Sequence, residues 1–305
     1  MVKASTVSLN ERKFIIEGLK NGVRLNGRAF NEMRSPKIRI SKTEYGFVEV
    51  DLGNTKLAVR VSCEIIKPYE DRPFEGIFTI NTEISPMASP SFENGKNTDD
   101  EVLISRLIEK AVRRSNALDL ESLCIIAGEK VWHVTADINF LNYDGGFIDA
   151  SCLGVMTALQ HFKKPDVSIK GTEIIVYDYN ERQPVPLSIL HVPICVTYSF
   201  FNPADKVENI KGESNQEIAI MDADSREEFV RDGSLVITIN KNRELIQISK
   251  NGGLPIDGVS LLQLADSAFT VAENLTDAIK KLLKDDEDER YTKMNLKLLE
   301  VGASR

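Results

Sequence analysis

The sequence predicts an α+β protein built from two similar halves. Strand patterns precede a helix pattern in each half, capping boxes begin two of the helix patterns, and a hairpin signal lies in the first half. The 305 residues, 42% hydrophobic and 28% charged, are typical of a globular chain with room for about two domain-sized units.

Capping boxes and apolar spacing predict the helices. Ser8 with Glu11 begins a short amphipathic helix, and Thr98 with Glu101 begins a longer one. The last helix pattern covers residues 259–283, and the acidic stretch KDDEDER after it is expected to be a solvated helix end and tail.

Alternation of apolar and polar residues predicts the strands. FVEVDLGNTKLAVRVSCEII alternates on both sides of Gly53-Asn54, which is typical of a hairpin. VRLNGRAFNEMR and SPMASPSFENGKN instead have the composition of a basic irregular connection and a loop. Further strand patterns are GIFTINTEIS, LCIIAG, KVWHVTADINFLN, TEIIVYD, LHVPICVTYSFF, EIAIMD, SLVITIN and ELIQIS.

The charge and the apolar runs exclude several classes of protein. The net charge of −8 argues against an autonomous nucleic-acid binder, so any RNA contact must come from a local basic patch or from a partner that completes the groove. The longest apolar runs are shorter than the ~20 residues that a membrane helix needs, and the N-terminus lacks the apolar core of a secretory signal. We therefore expect no membrane partner.

The cysteines and histidines show no spacing typical of a metal site. We expect the cysteines to be buried reduced thiols of a cytosolic or nuclear protein, and the histidines to be structural. The sequence therefore predicts no metal and no cofactor. These residues are Cys63, Cys124, Cys152, Cys195, His133, His161 and His191.

Several stretches within about residues 8–284 are typical of one family. They are RLNGRAFNEMR, GNTKLAVRVSCEI, PYEDRPFEGIFTINTEISPMASPSFE, RLIEKAVRRSNALDLESLCIIAG and DGGFIDAS. Together they resemble the RNase PH family and, more narrowly, the non-catalytic ring subunits of the eukaryotic RNA exosome. The short acidic C-terminus lacks the long tail of animal members, which indicates a fungal form.

The resemblance implies an RNase PH-like fold of two pseudo-repeated α/β halves, of the ribosomal protein S5 domain 2-like kind. It also implies a ring made with other RNase PH-like exosome subunits, with RNA-binding cap subunits on one face, associated nucleases, and RNA in the channel. The implied location is the nucleus, nucleolus and cytoplasm. The chain then consists of an N-terminal helix and arm (1–30), an RNase PH-like first half (31–187), a second half (188–284) and an acidic C-terminal tail (285–305).

The stretch NYDGGFIDASCLGVM has the form of a phosphate cradle, because a Gly-Gly turn precedes a helix start whose free N–H groups suit an anion. The resemblance implies that active members follow this turn with a hydroxyl residue and an Arg, which bind phosphate. Here Phe147 and Ile148 stand at those positions, and neither offers a donor. We expect Asp149, in the first helical turn, to repel an incoming phosphate.

The resemblance also implies a pair of acidic residues in the second half, one of them a general acid or metal ligand. In MDADSREEFVRDGSLVITIN these positions fall on Phe229 and Ser234, which neither bind a divalent ion well nor donate a proton near neutral pH. We expect the acidic residues around them to form a solvated turn, although another register would bring one of them into the site. They are Asp222, Asp224, Glu227, Glu228 and Asp232.

The loss of both elements predicts a chain with no catalytic residues of its own. The alternative is an active phosphorolytic 3′→5′ exoribonuclease of the RNase PH type that uses other residues. A stand-alone RNA-binding protein is a third class, which the net charge of −8 disfavours.

The longer predicted helix carries a basic stripe that covers roughly one third of its circumference, opposite apolar residues. The resemblance implies that this helix faces the channel, so we expect the stripe and Arg72 to contact the RNA backbone. The alternatives are a solvated face, ion pairs with Glu109 or an adjoining subunit, and pairing of Arg72 within its own loop. No aromatic residues interleave with these cations, so we expect no base stacking. The stripe consists of Arg106, Lys110, Arg113 and Arg114.

Overall fold

The computed structural model describes residues 7–90, 92, 98–170, 173–179, 181–202 and 217–303. Parts of the predicted arm, of the loop SPMASPSFENGKN, of the strand TEIIVYD and of the tail lie outside these ranges. The helices of the described chain are α1 (Leu9–Lys20), α2 (Asp99–Glu109), α3 (Phe147–His161), α4 (Ser225–Val230) and α5 (Gly258–Ala303), and a π-helical turn, Lys110–Arg114, follows α2.

The strands belong to two main sheets and two small ribbons. In the first half they are β1 (Pro36–Ile40), β2 (Phe47–Leu52), β3 (Thr55–Ile66), β4 (Ile77–Ile84), β5 (Cys124–Ile126), β6 (Lys130–Asn142), β7 (Lys163–Lys164), β8 (Val167–Lys170), β9 (Glu173–Val176) and β10 (Val185–Pro186). In the second half they are β11 (Ile194–Phe201), β12 (Ile218–Met221), β13 (Gly233–Ile239) and β14 (Leu245–Gly252).

The first main sheet has the order β1-β2-β3-β6-β4, with β5 also paired to β6. Only the pairing of β4 with β6 is parallel among the described strands of this sheet. The predicted hairpin is confirmed, because β2 and β3 pair antiparallel across Gly53, whose φ of +62° lies in the left-handed region.

The second main sheet is antiparallel, in the order β12-β11-β13-β14. Helix α3 lies between the two sheets, in contact with β2, β3 and β11, and its residues are buried except for Ile148 and Gln160. A Cβ on Gly154 would lie 2.8 Å from Val59 of β3, so this glycine allows the close approach of helix and sheet. One continuous apolar core therefore joins both halves.

Both predicted capping boxes are confirmed. The Ser8 hydroxyl accepts from the Glu11 amide while the Glu11 carboxylate accepts from the Ser8 amide, and Thr98 with Glu101 forms the same reciprocal pair. These contacts depend on residues only three apart, which is why the local sequence predicts them.

The prediction that KDDEDER ends the last helix is wrong. Helix α5 continues through this stretch because its side chains pair with the first half: Lys42 with Glu289 at 2.9 Å and Lys163 with Glu287 at 3.1 Å. The Arg290 guanidinium lies 4.4 Å from the centre of the Tyr45 ring. The acidic stretch is therefore partly a docking segment and not only a solvated tail.

Candidate functional site

The Gly-Gly turn before α3 has the predicted cradle geometry. Gly145 and Gly146 have φ of +76° and +71°, and Gly146 is the N-cap residue of the helix. The Gly145 carbonyl accepts from the Thr55 hydroxyl at 2.7 Å and from Arg34 Nη2 at 3.2 Å. The turn is thus fixed from the carbonyl side, and its Gly146 N–H group faces the second half.

A carboxylate of the second half already occupies this turn. The Gly146 amide donates to Glu228 Oε1 at 3.2 Å, and the Tyr143 hydroxyl donates to Glu228 Oε2 at 2.9 Å. Arg231 lies 3.3 Å from the same carboxylate. Burial raises the pKa of Glu228, against the opposing effects of Arg231 and of these hydrogen bonds. Glu228 therefore fills the position in which an anion would accept the Gly146 N–H.

A cavity of about 190 Å³ lies beside this contact and brings together three predicted residues, Phe147, Ile148 and Phe229. The Phe147 ring stacks on Tyr143, with 4.3 Å between the ring centres. Among the described residues, the charged ones that line the cavity are Asp100, Glu228 and Arg231, which together carry a net charge of −1. This apolar and slightly acidic cavity is poorly suited to phosphate.

Of the two positions predicted for the acidic pair, only Phe229 lines the cavity. Ser234 does not line the cavity, because it lies on β13 opposite Ser199 and Asn251. The side chain that reaches the turn from the second half is the carboxylate of Glu228, adjacent in sequence to Phe229, whose ring also lines the cavity. An acidic group is therefore present near the turn, although it is bound there as a hydrogen-bond acceptor.

The Asp149 carboxylate, expected to repel an incoming phosphate, is bonded to Thr197 of β11. It is fully buried, and accepts from the Thr197 amide at 3.0 Å and the Thr197 hydroxyl at 2.6 Å. Burial raises the pKa of Asp149 to about 7, while the bonds from Thr197 oppose this rise. Asp149 therefore connects α3 to β11.

The acidic turn around α4 is largely buried and not solvated as predicted. Arg34 binds Asp222 through Nε and Nη2, at 2.8 Å and 2.6 Å, and Arg24 binds Glu227 in the same bidentate manner at 3.1 Å and 2.6 Å. Arg28 adds a bond to Asp222 at 2.9 Å. The basic connection VRLNGRAFNEMR therefore holds this turn, since its arginines complement the carboxylates of MDADSREE.

The predicted RNA-binding residues divide into two groups. Arg72, Arg106 and Arg113 line a cavity of about 340 Å³, and a second cavity of about 410 Å³ shares Arg72 and Arg113. We call the two adjoining cavities the arginine groove. Lys110 and Arg114 are exposed on the π-helical turn but do not line the groove.

Two carboxylates of the arginine groove pair with these arginines. Glu109 accepts from Arg106 at 3.0 Å and from Arg113 at 3.3 Å, and Glu75 accepts from Arg72 at 3.1 Å. The ion-pair alternatives considered for the stripe and for Arg72 therefore occur in the structure. They leave the arginines accessible, since Arg106 and Arg72 are 69% and 55% exposed.

Sequence reasoning missed an aromatic residue in this groove. Tyr69 lines the cavity of about 340 Å³ together with Arg72 and Arg106, and the residue is 60% exposed. The signal was its position in PYEDRPFEG, three residues before Arg72 in a different element from the basic helix. An exposed ring beside guanidinium groups provides a face on which a base can stack.

The described residues contain no helix of the length and apolarity needed to cross a membrane. Within the same ranges, no group of three or more histidine, cysteine or acidic side chains is placed to hold a metal ion. The cysteines are unpaired: Cys152 and Cys195 are buried, and Cys63 and Cys124 are half-buried.

Two models of one protein family match most of the chain. Domain 1 of the RNase PH, or 3′ exoribonuclease, family matches residues 32–165, and domain 2 of the same family matches residues 191–271. The chain belongs to the RNase PH family. The two main sheets lie in these two domains, and α3 belongs to domain 1.

Several RNase PH family relatives are similar over nearly the whole chain. The exosome complex component RRP45 of Saccharomyces cerevisiae is 57% identical, over 95% of both chains, and that of Schizosaccharomyces pombe is 50% identical, over 92% of this chain and 91% of its own. The component of the same name from Homo sapiens is 39% identical, and this chain spans 63% of its length. The predicted resemblance to a fungal exosome subunit is confirmed.

The RNase PH fold is also present in archaeal exosome structures. One, described as the Archaeoglobus fulgidus exosome with RNA bound to the active site, superposes with a TM-score of 0.72 at 29% identity, over 88% of this chain and 97% of that chain. An archaeal exosome core gives a TM-score of 0.68 at 27% identity, over 89% and 96% of the two chains.

Proposed function

We propose that the chain is a catalytically inert structural subunit of an RNA exosome ring, which supports 3′→5′ RNA processing and degradation. The observation that carries the proposal of inertness is the bond from the Gly146 amide to Glu228 Oε1. A phosphate nucleophile needs this N–H group and a cation at the start of α3. The Glu228 carboxylate already accepts this N–H group, and Phe147 and Ile148 cannot supply the cation.

Electrostatics supports the same conclusion. Phosphorolysis brings inorganic phosphate against an RNA linkage, so two anions must be held together by cationic or hydrogen-bonding groups. The cavity beside the turn offers Arg231 against Asp100 and Glu228. Because Arg231 is already paired with Glu228, a phosphate entering here would meet two carboxylates and no free guanidinium within the described lining.

The arginine groove is the RNA-contacting surface in this proposal. Arg72, Arg106 and Arg113 present accessible guanidinium groups on an otherwise acidic chain, which suits sequence-independent contact with a phosphate backbone. Lys110 and Arg114 extend the positive surface outside the groove. RNA moving along the ring channel would pass this surface on its way to a nuclease.

The similarity to RRP45 components and to archaeal exosomes supports the proposed partners. These are other RNase PH-like ring subunits, RNA-binding cap subunits, exosome-associated nucleases, and RNA in the channel. Degradation would be carried out by those nucleases or by a neighbouring subunit. The proposed locations are the nucleus, nucleolus and cytoplasm, where RNA processing and turnover take place.

An active phosphorolytic exoribonuclease is the second candidate, and the buried Glu228 is the observation that favours it, since a carboxyl group with a raised pKa can serve as an acid. The test is to incubate the purified full chain, alone and with its ring neighbours, with RNA and phosphate. We expect no nucleoside diphosphates from the chain alone and no effect of Glu228→Gln in the ring. Release of diphosphates that Glu228→Gln abolishes would establish the enzyme instead.

A further inference from the structure

We propose that Glu75 and Glu109 are internal competitors for RNA phosphates, which weaken RNA binding in the arginine groove so that the strand moves through it. This inference rests on the proposed RNA contact and adds residues that regulate it. The arginines of the groove would pair with these carboxylates when the groove is empty and with RNA phosphates when RNA is present.

The geometry of Glu109 carries this inference. Its two carboxylate oxygens hold different arginines, Oε2 that of Arg106 at 3.0 Å and Oε1 that of Arg113 at 3.3 Å. A phosphate group, which also presents several oxygens to guanidinium groups, would make the same bridge. Glu109 therefore occupies the position between two arginines in which one RNA phosphate would bind.

Glu75 pairs with a single arginine where the two cavities meet. It accepts from Arg72 at 3.1 Å, and Arg72, Glu75 and Arg113 line both cavities. An RNA strand that passes from one cavity to the other would therefore meet the Arg72–Glu75 pair. With both glutamates ionised, the cavity of about 340 Å³ has a net charge of +1 from Arg72, Arg106, Arg113, Glu75 and Glu109, and neutralising the glutamates would raise it to +3.

Exchange between the two pairings is physically accessible. Both glutamates are partly exposed and their arginine partners are 35–69% exposed, so water and salt screen the ion pairs. Exposed pairs of this kind are weak, and a phosphate can displace the carboxylate. A pair of this strength lowers the affinity of its arginine for phosphate by roughly two- to five-fold.

The experiment measures the affinity of the full chain for a labelled single-stranded oligouridylate by fluorescence anisotropy at fixed salt. The variants are Glu109→Gln, Glu75→Gln and the double variant, with Arg106→Gln/Arg113→Gln as the test of RNA contact. Glu70→Gln is the matched control, because Glu70 is exposed in the same loop as Glu75 but does not line the groove. Unfolding midpoints verify that each variant is folded.

We expect Glu109→Gln and Glu75→Gln each to tighten binding about two- to five-fold relative to Glu70→Gln. Glu109→Gln should have no such effect in the Arg106→Gln/Arg113→Gln background, because its partners are then absent. Tightening that is equal in Glu70→Gln, or that persists without the arginines, would overturn the inference and leave the RNA contact in place. Unchanged binding in Arg106→Gln/Arg113→Gln would instead overturn the proposed contact itself.

Discussion

Arg34 holds Asp222 through two side-chain hydrogen bonds, of 2.6 Å and 2.8 Å, across a separation of 188 residues in the sequence. The Arg34 amide donates to the same carboxylate at 2.9 Å, and Arg34 Nη1 donates to the Asp144 carbonyl at 2.9 Å. Arg34 therefore joins the basic connection VRLNGRAFNEMR to the turn before α3 and to the acidic turn before α4. The shape of the candidate site depends on this contact.

Arg34→Gln should destabilise the chain by about 3–5 kcal/mol, because it leaves the buried Asp222 carboxylate without its main partner. The Arg34 guanidinium holds the pKa of Asp222 below its ordinary value in spite of burial. Urea unfolding measures the change in the free energy of unfolding. Arg39→Gln, which breaks an exposed pair with Asp51, should cost less than about 1 kcal/mol. Equal losses in the two variants would contradict the assigned role.

Asp149 predicts a pH dependence of stability. Since burial raises its pKa to about 7 from an ordinary value near 4, the folded chain keeps a proton that the unfolded chain releases between these values. Its contribution to stability therefore falls as pH rises from about 4 to 7. Asp149→Asn keeps both contacts to Thr197 and removes this dependence. The free energies of unfolding of Asp149→Asn and of the unchanged chain are measured at pH 5, 6, 7 and 8. The difference, variant minus unchanged chain, should increase with pH.

The matched change Asp149→Ala tests whether the bonds to Thr197 carry the connection between the halves. It leaves the buried Thr197 amide without an acceptor, so Asp149→Ala should be less stable than Asp149→Asn by about 1–3 kcal/mol at all pH values, since neither variant has the titrating carboxyl. A flat difference between Asp149→Asn and the unchanged chain across this range would mean that Asp149 titrates near its ordinary value.

The extension of α5 depends on contacts with the first half. Arg290→Ala removes the stacking on Tyr45 and the pair with Asp286, so we expect faster amide hydrogen exchange in the described part of α5 after residue 284. Lys293→Ala is the control, because Lys293 is 59% exposed and pairs within the helix with Glu289 at 3.9 Å. Exchange that is slow in both variants would show that the helix holds without docking.

The basic residues of the helix give a prediction for the assembled ring. Changing Arg106, Lys110 and Arg113 together to Glu should reduce crosslinking of RNA and channel-dependent degradation without unfolding the subunit, since all three side chains are at least partly exposed. The control changes Lys37, Arg39 and Arg60 to Glu, three exposed cations of the first sheet. A similar loss in the control ring, once assembly is verified, would point to overall charge and not to the helix.

Local features of this chain could be predicted from sequence, and distant pairings could not. The capping boxes, the hairpin at Gly53 and the start of α3 depend on neighbouring residues. The burial of the acidic turn depends on Arg24, Arg28 and Arg34, which lie about 190–200 residues away, so its composition alone indicated solvent exposure.

The candidate site shows the same limit. Phe147 and Ile148 could be identified as non-donors because side-chain chemistry follows from residue type. The orientation of α4 determines that the Glu228 carboxylate reaches the turn. The burial of Asp149 depends on its partner Thr197 in β11. A shift of one residue along a helix rotates a side chain by about 100°, and the sequence does not fix that rotation.

The proposed inertness depends on the turn before α3 not binding phosphate, because Glu228 already accepts the Gly146 N–H group. The most direct measurement is a titration of the ¹⁵N-labelled full chain with inorganic phosphate, following the Gly145 and Gly146 amide signals. We expect no saturable shift of either signal in the unchanged chain. Saturable shifts of both amides, at phosphate concentrations that leave the rest of the spectrum unchanged, would contradict it.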